Sequence, residues 1–573
     1  MNLFLYLALF LQTPQQIQSA DAAFRAGYAA MAKGDLPHAH AEFAKVVRLV
    51  PKVAAGHSAY GAVLLAEGNS AAAIPELEQA HRLDAKDETA TLNLATAYSA
   101  QRHYPESIAT FRLLRPETTL TPEASLSYAT ALAATNDLAA ATERLRQAVA
   151  ANPQSASLHD ALGTVLAQQQ HYDEAQAQFE QAIALDANSS SAHLHLGSLF
   201  LLQQNIASAI TELSAAVSLT PNDLQTLLQL GRAQTAARQD DAALKILSHA
   251  HEIAPASVDA GYALALALQN AGKSKEALPL FAAAAAARPN DGPVLINDAL
   301  ALVQTGDAKQ AIPLYERALR LDRTSPVLRE DLGVAYLQQG DLDHAIEQFQ
   351  AGLALPNGGD PIGAELHYDL GLAWKLKDKL PEAITEFELA QKIDATLPDP
   401  PYTLGVLYMQ TGKFEEAAVQ MEKATAMRPD NGEAWSILGN IYKQMDQPAK
   451  AIPALRRAID LLPDQPSPHI ALGAILAQQG DKDAAAAERK KGAELSRIAV
   501  SRQRADFALN SGTALLKKGQ VAEAITQLRD AILADPGYAA PHQALAEALA
   551  LQGNAGEAAL ERQKADALQK QAK

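Results

Sequence analysis

The feature that most constrains the fold of this chain is a 34-residue interval at which small residues return. We call them the landmark residues, and the first ten follow one another without a change of spacing: Gly27, Gly61, Ala95, Ala129, Gly163, Gly197, Gly231, Ala265, Ala299 and Gly333. After a longer step the series continues at Gly371, Gly405, Gly439 and Gly473, and after another at Gly512 and Ala546. Because 573 residues are also too many for one core, this interval predicts an array of sixteen repeats.

Other residue types keep fixed distances from the landmark. Alanine often stands twelve residues after it, a large apolar residue sixteen after it, and proline 24 after it. Examples are Ala39, Ala73, Ala175, Ala311, Ala417 and Ala524, then Phe43, Phe111, Phe179, Phe281, Phe349 and Phe387, and finally Pro51, Pro153, Pro221, Pro255, Pro289, Pro429, Pro463 and Pro536. Apolar residues within each unit recur at helical spacing, which predicts two amphipathic helices, A and B. In the unit of Gly333, Gly340 is expected to take positive φ in the turn and Asp341 to cap helix B.

These residues resemble the tetratricopeptide repeat, a 34-residue helical hairpin with the pattern W-L-G-Y…A…F…P. The resemblance runs from about Ala20 to the end of the chain, although tryptophan is rare at the first position, where Trp435 is a near-match. It implies an all-α fold, an α-α superhelix or solenoid of about sixteen stacked helical hairpins. It also implies that the A helices line a concave surface on which partners bind.

Two longer steps interrupt the array, one of 38 residues between Gly333 and Gly371 and one of 39 between Gly473 and Gly512. The predicted divisions are a signal peptide or N-terminal apolar segment at 1–19, ten repeats at 20–355, repeats eleven to fourteen at 356–492, and a basic helical joint with two final repeats and a cap at 493–573. The first insertion, LPNGGDPIGAE, lacks the G-K-[ST] of a phosphate loop, so a lengthened turn is expected.

The second step contains the basic stretch AAERKKGAELSRIAVSRQRADF. Arg489 stands there in place of the large apolar residue. We expect a long, solvated helix B, because charge runs on helices usually face water. The alternative is a docking surface, or a joint between sub-arrays of fourteen and two repeats.

Charge and composition exclude several classes of function. The chain has 65 acidic and 48 basic residues, and its net charge of −17 disfavours binding to nucleic acid and to anionic lipid. The absence of cysteine rules out disulfides, thiolate metal sites and a cysteine nucleophile.

The N-terminal segment indicates export. Leu3 to Leu11 is an apolar run of signal-peptide length, and Ala20-Asp21-Ala22 fits the small-residue pattern of a cleavage site. No lysine or arginine precedes the run, and cleavage after Ala22 would shorten the first helix. We expect a periplasmic or secreted protein. The alternative is a cytoplasmic protein whose apolar leading helix packs on the array. No other segment of the sequence approaches membrane-spanning length.

No catalytic or metal-binding pattern is present in the sequence. The histidine pairs His38 and His40, His193 and His195, and His249 and His251 are two residues apart, so the members of a pair lie on different helix faces. The fifteen histidines are therefore interpreted as scattered polar side chains, and no nucleotide-binding or hydrolase motif accompanies them. We predict a protein without enzymatic activity, cofactor or metal.

The resemblance places partner binding on helix A, and we expect the positions three before and one after the landmark to face inward. In units eight to twelve these residues form a tyrosine and aliphatic strip: Tyr262, Leu266, Ile296, Leu300, Glu330, Val334, Tyr368, Leu372, Tyr402 and Val406. Acids recur six residues before the landmark, as at Asp21, Glu123, Asp259, Glu365, Asp399, Glu433 and Asp506. The hypothesis is a groove for an extended or helical peptide with apolar anchors and basic character. The alternative is that the strip only packs between neighbouring A helices.

The leading functional hypothesis is an exported, non-enzymatic scaffold for protein–protein interactions. One alternative is a periplasmic component of envelope polysaccharide or secretion machinery. Another is the interaction arm of an enzyme complex whose catalytic part lies on another chain.

Overall fold

The computed structural model describes residues 13–115, 117–356 and 361–571. The predicted apolar run Leu3 to Leu11 and the centre of the first insertion lie outside these ranges. All regular structure in the described ranges is helical, and the chain forms two compact units, Met1–Pro289 and Asn290–Lys573. The predicted all-α fold is therefore confirmed.

The first unit holds eight helical hairpins within the described residues. Their helices are α1 (Pro14–Met31), α2 (Leu36–Leu49), α3 (Ala54–Ala66), α4 (Ser70–Leu83), α5 (Glu88–Ala100), α6 (Tyr104–Phe111), α7 (Pro122–Ala134), α8 (Leu138–Ala151), α9 (Ala156–Gln168), α10 (Tyr172–Leu185), α11 (Ser190–Leu202), α12 (Ile206–Leu219), α13 (Leu224–Ala236), α14 (Asp240–Ile253), α15 (Val258–Asn270) and α16 (Ser274–Ala287). Odd-numbered helices are A helices, and each packs against the B helix that follows it.

The second unit continues the pattern with one change near its end. Its helices are α17 (Gly292–Gln304), α18 (Ala308–Leu321), α19 (Pro326–Gln339), α20 (Leu342–Leu353), α21 (Ile362–Leu376), α22 (Leu380–Ile393), α23 (Asp399–Gln410), α24 (Phe414–Met427), α25 (Gly432–Gln444), α26 (Pro448–Leu461), α27 (Pro466–Gln478), α28 (Lys482–Lys517), α29 (Val521–Ala534), α30 (Ala539–Leu551) and α31 (Ala555–Gln571). Helix α28 pairs with α27 and with α29, so it is the B helix of one hairpin and the A helix of the next. With α28 counted twice, the described helices form the predicted sixteen hairpins.

The landmark residue lies where the two helices of a hairpin cross. A methyl group built on Gly163 would lie 2.7 Å from the ring of Phe179, and one built on Gly27 would lie 2.7 Å from the ring of Phe43. Both phenylalanines are fully buried. The small landmark thus lets the backbone of helix A approach helix B, and the large residue sixteen positions later fills the contact.

The turn inside each hairpin also follows the prediction. Gly340 has φ +85°, and the Asp341 carboxylate accepts a hydrogen bond from the His344 backbone amide at 3.3 Å. The equivalent residue, seven after the landmark, has positive φ in all sixteen described hairpins. Seven of these residues are not glycine: Arg102, Asn136, Gln170, Gln204, Arg238, Asp378 and Asp446. Since a side chain disfavours this conformation, hairpin packing holds these seven turns in place.

Neighbouring hairpins are joined by a repeated hydrogen bond. A tyrosine three residues after the landmark donates its hydroxyl to a glutamate on the preceding helix B. The pairs are Tyr98–Glu78, Tyr336–Glu316, Tyr408–Glu388 and Tyr442–Glu422. At these four junctions a polar bond therefore adds to the apolar burial between neighbouring hairpins.

The two longer steps have different structures. The first insertion separates the end of α20 from the start of α21. The basic stretch of the second step, in contrast, lies inside the continuous helix α28. The compact units divide at Pro289, within the predicted first block of ten repeats. The boundaries predicted at 355/356 and 492/493 stay predictions.

Candidate binding surface

Successive A helices in the second unit bring their landmark regions side by side. The Tyr402 hydroxyl on α23 faces the Glu433 carboxylate on α25, and the pKa of Tyr402 is raised by burial and by this negative charge. Farther along the helices, the Gln338 side-chain amide on α19 donates to the Val303 carbonyl on α17 at 3.1 Å. We use the name A-helix face for the surface that the A helices α17, α19, α21, α23 and α25 form together within the second unit.

The ten predicted groove residues divide between the two units. Tyr262 and Leu266 lie on α15 in the first unit, and the other eight lie on α17, α19, α21 and α23 in the second. All ten are partly buried, so each has a packed side and an accessible side. Their role in binding stays a prediction.

Four residues of the strip pack on one apolar core. Tyr368 and Leu372 on α21, with Tyr402 and Val406 on α23, contact the buried cluster that includes Phe387. This core fixes the backs of the four side chains while their other sides remain accessible. A surface whose apolar residues are already held in place loses less conformational freedom when a partner binds.

Four carboxyl groups lie in or beside the strip. They are Glu330 and Asp331 on α19, and Glu365 and Asp369 on α21. Burial raises the pKa of Glu330 to about 8, and the charges of Asp369, Glu365 and Asp331 add to the effect. Burial and the Glu365 charge raise the pKa of Asp369 to about 7, and burial raises that of Asp331 to about 6. None of the four has an ion-pair partner in the described part of the chain.

This arrangement favours a positively charged ligand. The partly buried carboxylates of Glu330, Asp331 and Asp369 resist ionisation, and a cation placed among them reduces that penalty. Sequence reasoning identified Glu330 and Glu365 from their positions, but it did not identify Asp331 or Asp369. These two lie two residues before their landmarks, and an acid at that position in successive units was the available signal.

The histidines are not all scattered, contrary to the interpretation from sequence. Six of them occupy one position, four residues before the landmark: His57, His159, His193, His367, His469 and His542. In each, Nδ1 is hydrogen-bonded to the glutamate or glutamine nineteen residues later, as in His57–Glu76 at 2.6 Å. In His57, Nε2 also donates to the Pro51 carbonyl at 2.9 Å, as the Trp435 indole does to Pro429 at 3.0 Å. All six histidines therefore bridge helix A and helix B, and the Nε2 atoms of His57, His159, His193 and His542 also bond to a carbonyl of the preceding loop.

The first unit carries a smaller polar cluster on α9 and α11. Asp160 is hydrogen-bonded to His195 Nδ1 at 2.7 Å and accepts a bond from the Ser191 hydroxyl at 3.0 Å. The serine hydroxyl meets the carboxylate rather than the imidazole, so the three do not form a nucleophile activated by histidine.

Among residues 13–115, 117–356 and 361–571, no three His, Asp or Glu side chains are placed to hold a metal ion. Within the same ranges, no helix has both the length and the apolar character needed to span a membrane.

Several solved structures are similar to this chain. A chain of the APC/C hetero-tetramer Cut9–Hcn1 matches with 14% identity and a TM-score of 0.37, over 81% of this chain and 99% of that one. YrrB, described as a TPR protein with an unusual peptide-binding site, matches with 22% identity and a TM-score of 0.28, over 33% and 95%. A tetratricopeptide repeat protein from Parabacteroides merdae matches with 19% identity and a TM-score of 0.34, over 44% and 98%. No curated protein matches the sequence.

Sequence profiles described as "Tetratricopeptide repeat" match most of the chain. One profile matches residues 24–88, 161–223, 262–326, 402–466, 438–491 and 509–571, and a second matches 64–125 and 302–362. These segments follow the register of the landmark residues and cover more than half of the sequence. The chain belongs to the tetratricopeptide repeat family.

Proposed function

We propose that this chain is a non-enzymatic scaffold for protein–protein interactions, and that the A-helix face of the second unit binds a peptide segment of a partner. One observation carries the proposal: Tyr368, Leu372, Tyr402 and Val406 form a supported, half-accessible apolar strip on two successive helices. Membership of a family built from stacked helical hairpins supports the coarser role in protein interaction.

The chemistry of the strip defines the partner segment. Neighbouring A helices lie about 10 Å apart, a distance that about three residues of an extended peptide span. An extended partner would therefore place apolar anchors about three residues apart, one on α21 and one on α23. A lysine or arginine next to the first anchor would meet the carboxyls of Glu330 and Asp369.

The test measures binding of fluorescent peptides with this pattern to the purified chain. The double variant Tyr368→Ala/Tyr402→Ala is expected to weaken binding by about tenfold or more, since aromatic anchors dominate such interfaces. Tyr172→Ala is a matched control, because Tyr172 is a partly buried tyrosine at the start of a B helix in the first unit. Equal affinities of the double variant and the unaltered chain would contradict the proposal.

We also propose that the scaffold is exported. The apolar run Leu3 to Leu11 and the small residues at Ala20-Asp21-Ala22 support this. A role in envelope machinery or in an enzyme complex would follow only from the partner. Fusion of residues 1–25 to a reporter that folds only after export tests the compartment, and no reporter activity would contradict export.

A further inference from the structure

The middle of helix α28 is an exposed helical segment with an unusual composition. Between its contacts with α27 and α29, almost every residue from 497 to 504 is exposed. Val500 is 56% exposed, Ile498 is 51% exposed, and Phe507 just beyond is 79% exposed. Exposed apolar residues that lie together on one helix, rather than singly, are a common mark of an interaction surface.

The exposed residues form an ordered stripe. Ala493, Val500 and Phe507 are spaced by seven residues and therefore share one side of the helix. Arg497 and Arg504 have the same spacing and lie next to them, and neither has an ion-pair partner in the described part of the chain. The stripe therefore combines apolar anchors with free positive charge.

The charge of this segment is opposite to that of its surroundings. From residue 489 to residue 504 there are six basic residues and one acidic residue, in a chain with a net charge of −17. Only Arg502 of the central arginines is engaged, through Asp535 at 2.5 Å and the face of the Tyr538 ring at 4.0 Å. A basic stripe of this kind attracts an acidic surface.

The A-helix face of the second unit has the complementary chemistry. It offers aromatic and aliphatic side chains at Tyr368, Leu372 and Tyr402, beside the unpaired carboxyls of Glu330 and Glu365. Along α28, Arg497 and Arg504 are separated by about 10 Å, since each helical residue adds about 1.5 Å. Neighbouring A helices have a similar separation, so two arginines can each reach an acid on successive helices.

We propose that the exposed stripe of α28 docks on the A-helix face of a second copy of this chain. This inference rests on the proposed function, because it uses the same strip and names one occupant for it. Val500 and Phe507 cover the tyrosine strip, and Arg497 and Arg504 pair with the carboxyls. The two surfaces differ, so the contact is heterologous, and repetition of it closes a ring or extends a chain of copies.

The test follows the molar mass of the full chain by sedimentation and light scattering over a range of protein concentrations. The unaltered chain is expected to associate as its concentration rises, and added salt should weaken the association. Arg504→Glu and Glu365→Arg are each expected to weaken it by about tenfold or more, because each change places like charges opposite one another. The combination of both substitutions in one chain restores an attractive pair and should recover most of the association.

Two controls keep the outcomes distinct. Arg457→Glu reverses an exposed arginine on the outer helix α26 and should leave association unchanged. Phe507→Asp, with helix content checked by circular dichroism, should abolish it. A chain that stays monomeric at every concentration, or that associates equally after Glu365→Arg, would overturn the inference. Binding to acidic vesicles without self-association would also overturn it.

The same experiment separates this inference from the proposed function. A monomeric chain that still binds the fluorescent peptides through Tyr368 and Tyr402 leaves the scaffold proposal intact and refutes only the docking of α28. If the chain associates through α28 but Tyr368→Ala/Tyr402→Ala has no effect on either measurement, both proposals fail.

Discussion

Replacement of Asp298 by asparagine should stabilise the second unit at neutral pH. Asp298 directly precedes the landmark Ala299, a position at which most units have leucine. It is only 5% exposed, and its carboxyl has no hydrogen bond or ion pair with the described residues. Burial raises the pKa of Asp298 to about 6 from an ordinary value of 3.8. An ionised carboxylate there is therefore destabilising.

The magnitude follows from the difference between the two pKa values. A shift of about two units corresponds to about 3 kcal/mol, at about 1.4 kcal/mol for each unit. Because the folded state retains the proton more strongly than the unfolded state, stability falls as the pH rises from about 4 to about 6 and stays low above that. Asparagine does not ionise, so Asp298→Asn should raise the free energy of unfolding by about 3 kcal/mol at pH 8 and by almost nothing at pH 4.

The assay is urea denaturation of both proteins at pH 4 and pH 8, with hydrogen exchange of α17 as a local probe, because repeat arrays can unfold in parts. Asp464→Asn, a change at an exposed loop residue, is the matched control and should have no effect. A gain of equal size at both pH values would show that packing, not ionisation, causes it. No gain at pH 8 would refute the reasoning.

Four further predictions test the packing and the candidate surface. Phe349→Ala should lower the free energy of unfolding by about 3–5 kcal/mol, because the ring is fully buried, and thermal denaturation would show it. Gly163→Val should lower the free energy of unfolding by about 2 kcal/mol, since even a methyl group would lie 2.7 Å from the Phe179 ring. Gly163→Ala should lower it by less, because alanine occupies the landmark in other units. Gln170→Gly should raise the free energy of unfolding by about 1 kcal/mol in the same assay, because glycine adopts the positive φ of this turn without strain. Binding of a basic peptide, measured by anisotropy titration, should tighten by about tenfold or more from pH 6 to pH 8. The reason is that the raised pKa of Glu330 leaves its carboxyl largely protonated at pH 6. Glu330→Gln should remove most of this pH dependence.

Local and repeated interactions were predictable from sequence. The crossing of Gly163 with Phe179, the positive φ of Gly340 and the cap at Asp341 each depend on residues within one hairpin, and sixteen copies make the pattern visible. The candidate surface was predicted less completely. Its strip was placed on helix A by family resemblance, but Asp331 and Asp369 were missed because their proximity arises between hairpins.

The amino-acid sequence by itself determined the helical hairpin, its period and its turn, because a 34-residue unit contains all the contacts that specify them. Tertiary structure decided which polar side chains that are distant in sequence are bound to one another. The bridge from His57 to Glu76 and the burial of Asp298 depend on side chains that the stacking of helices brings together. The course of α28 through the second long step was decided in the same way, since its two ends are held by different partner helices while its middle is left exposed. Periodicity identifies which residues are equivalent, but only packing determines what each of them meets.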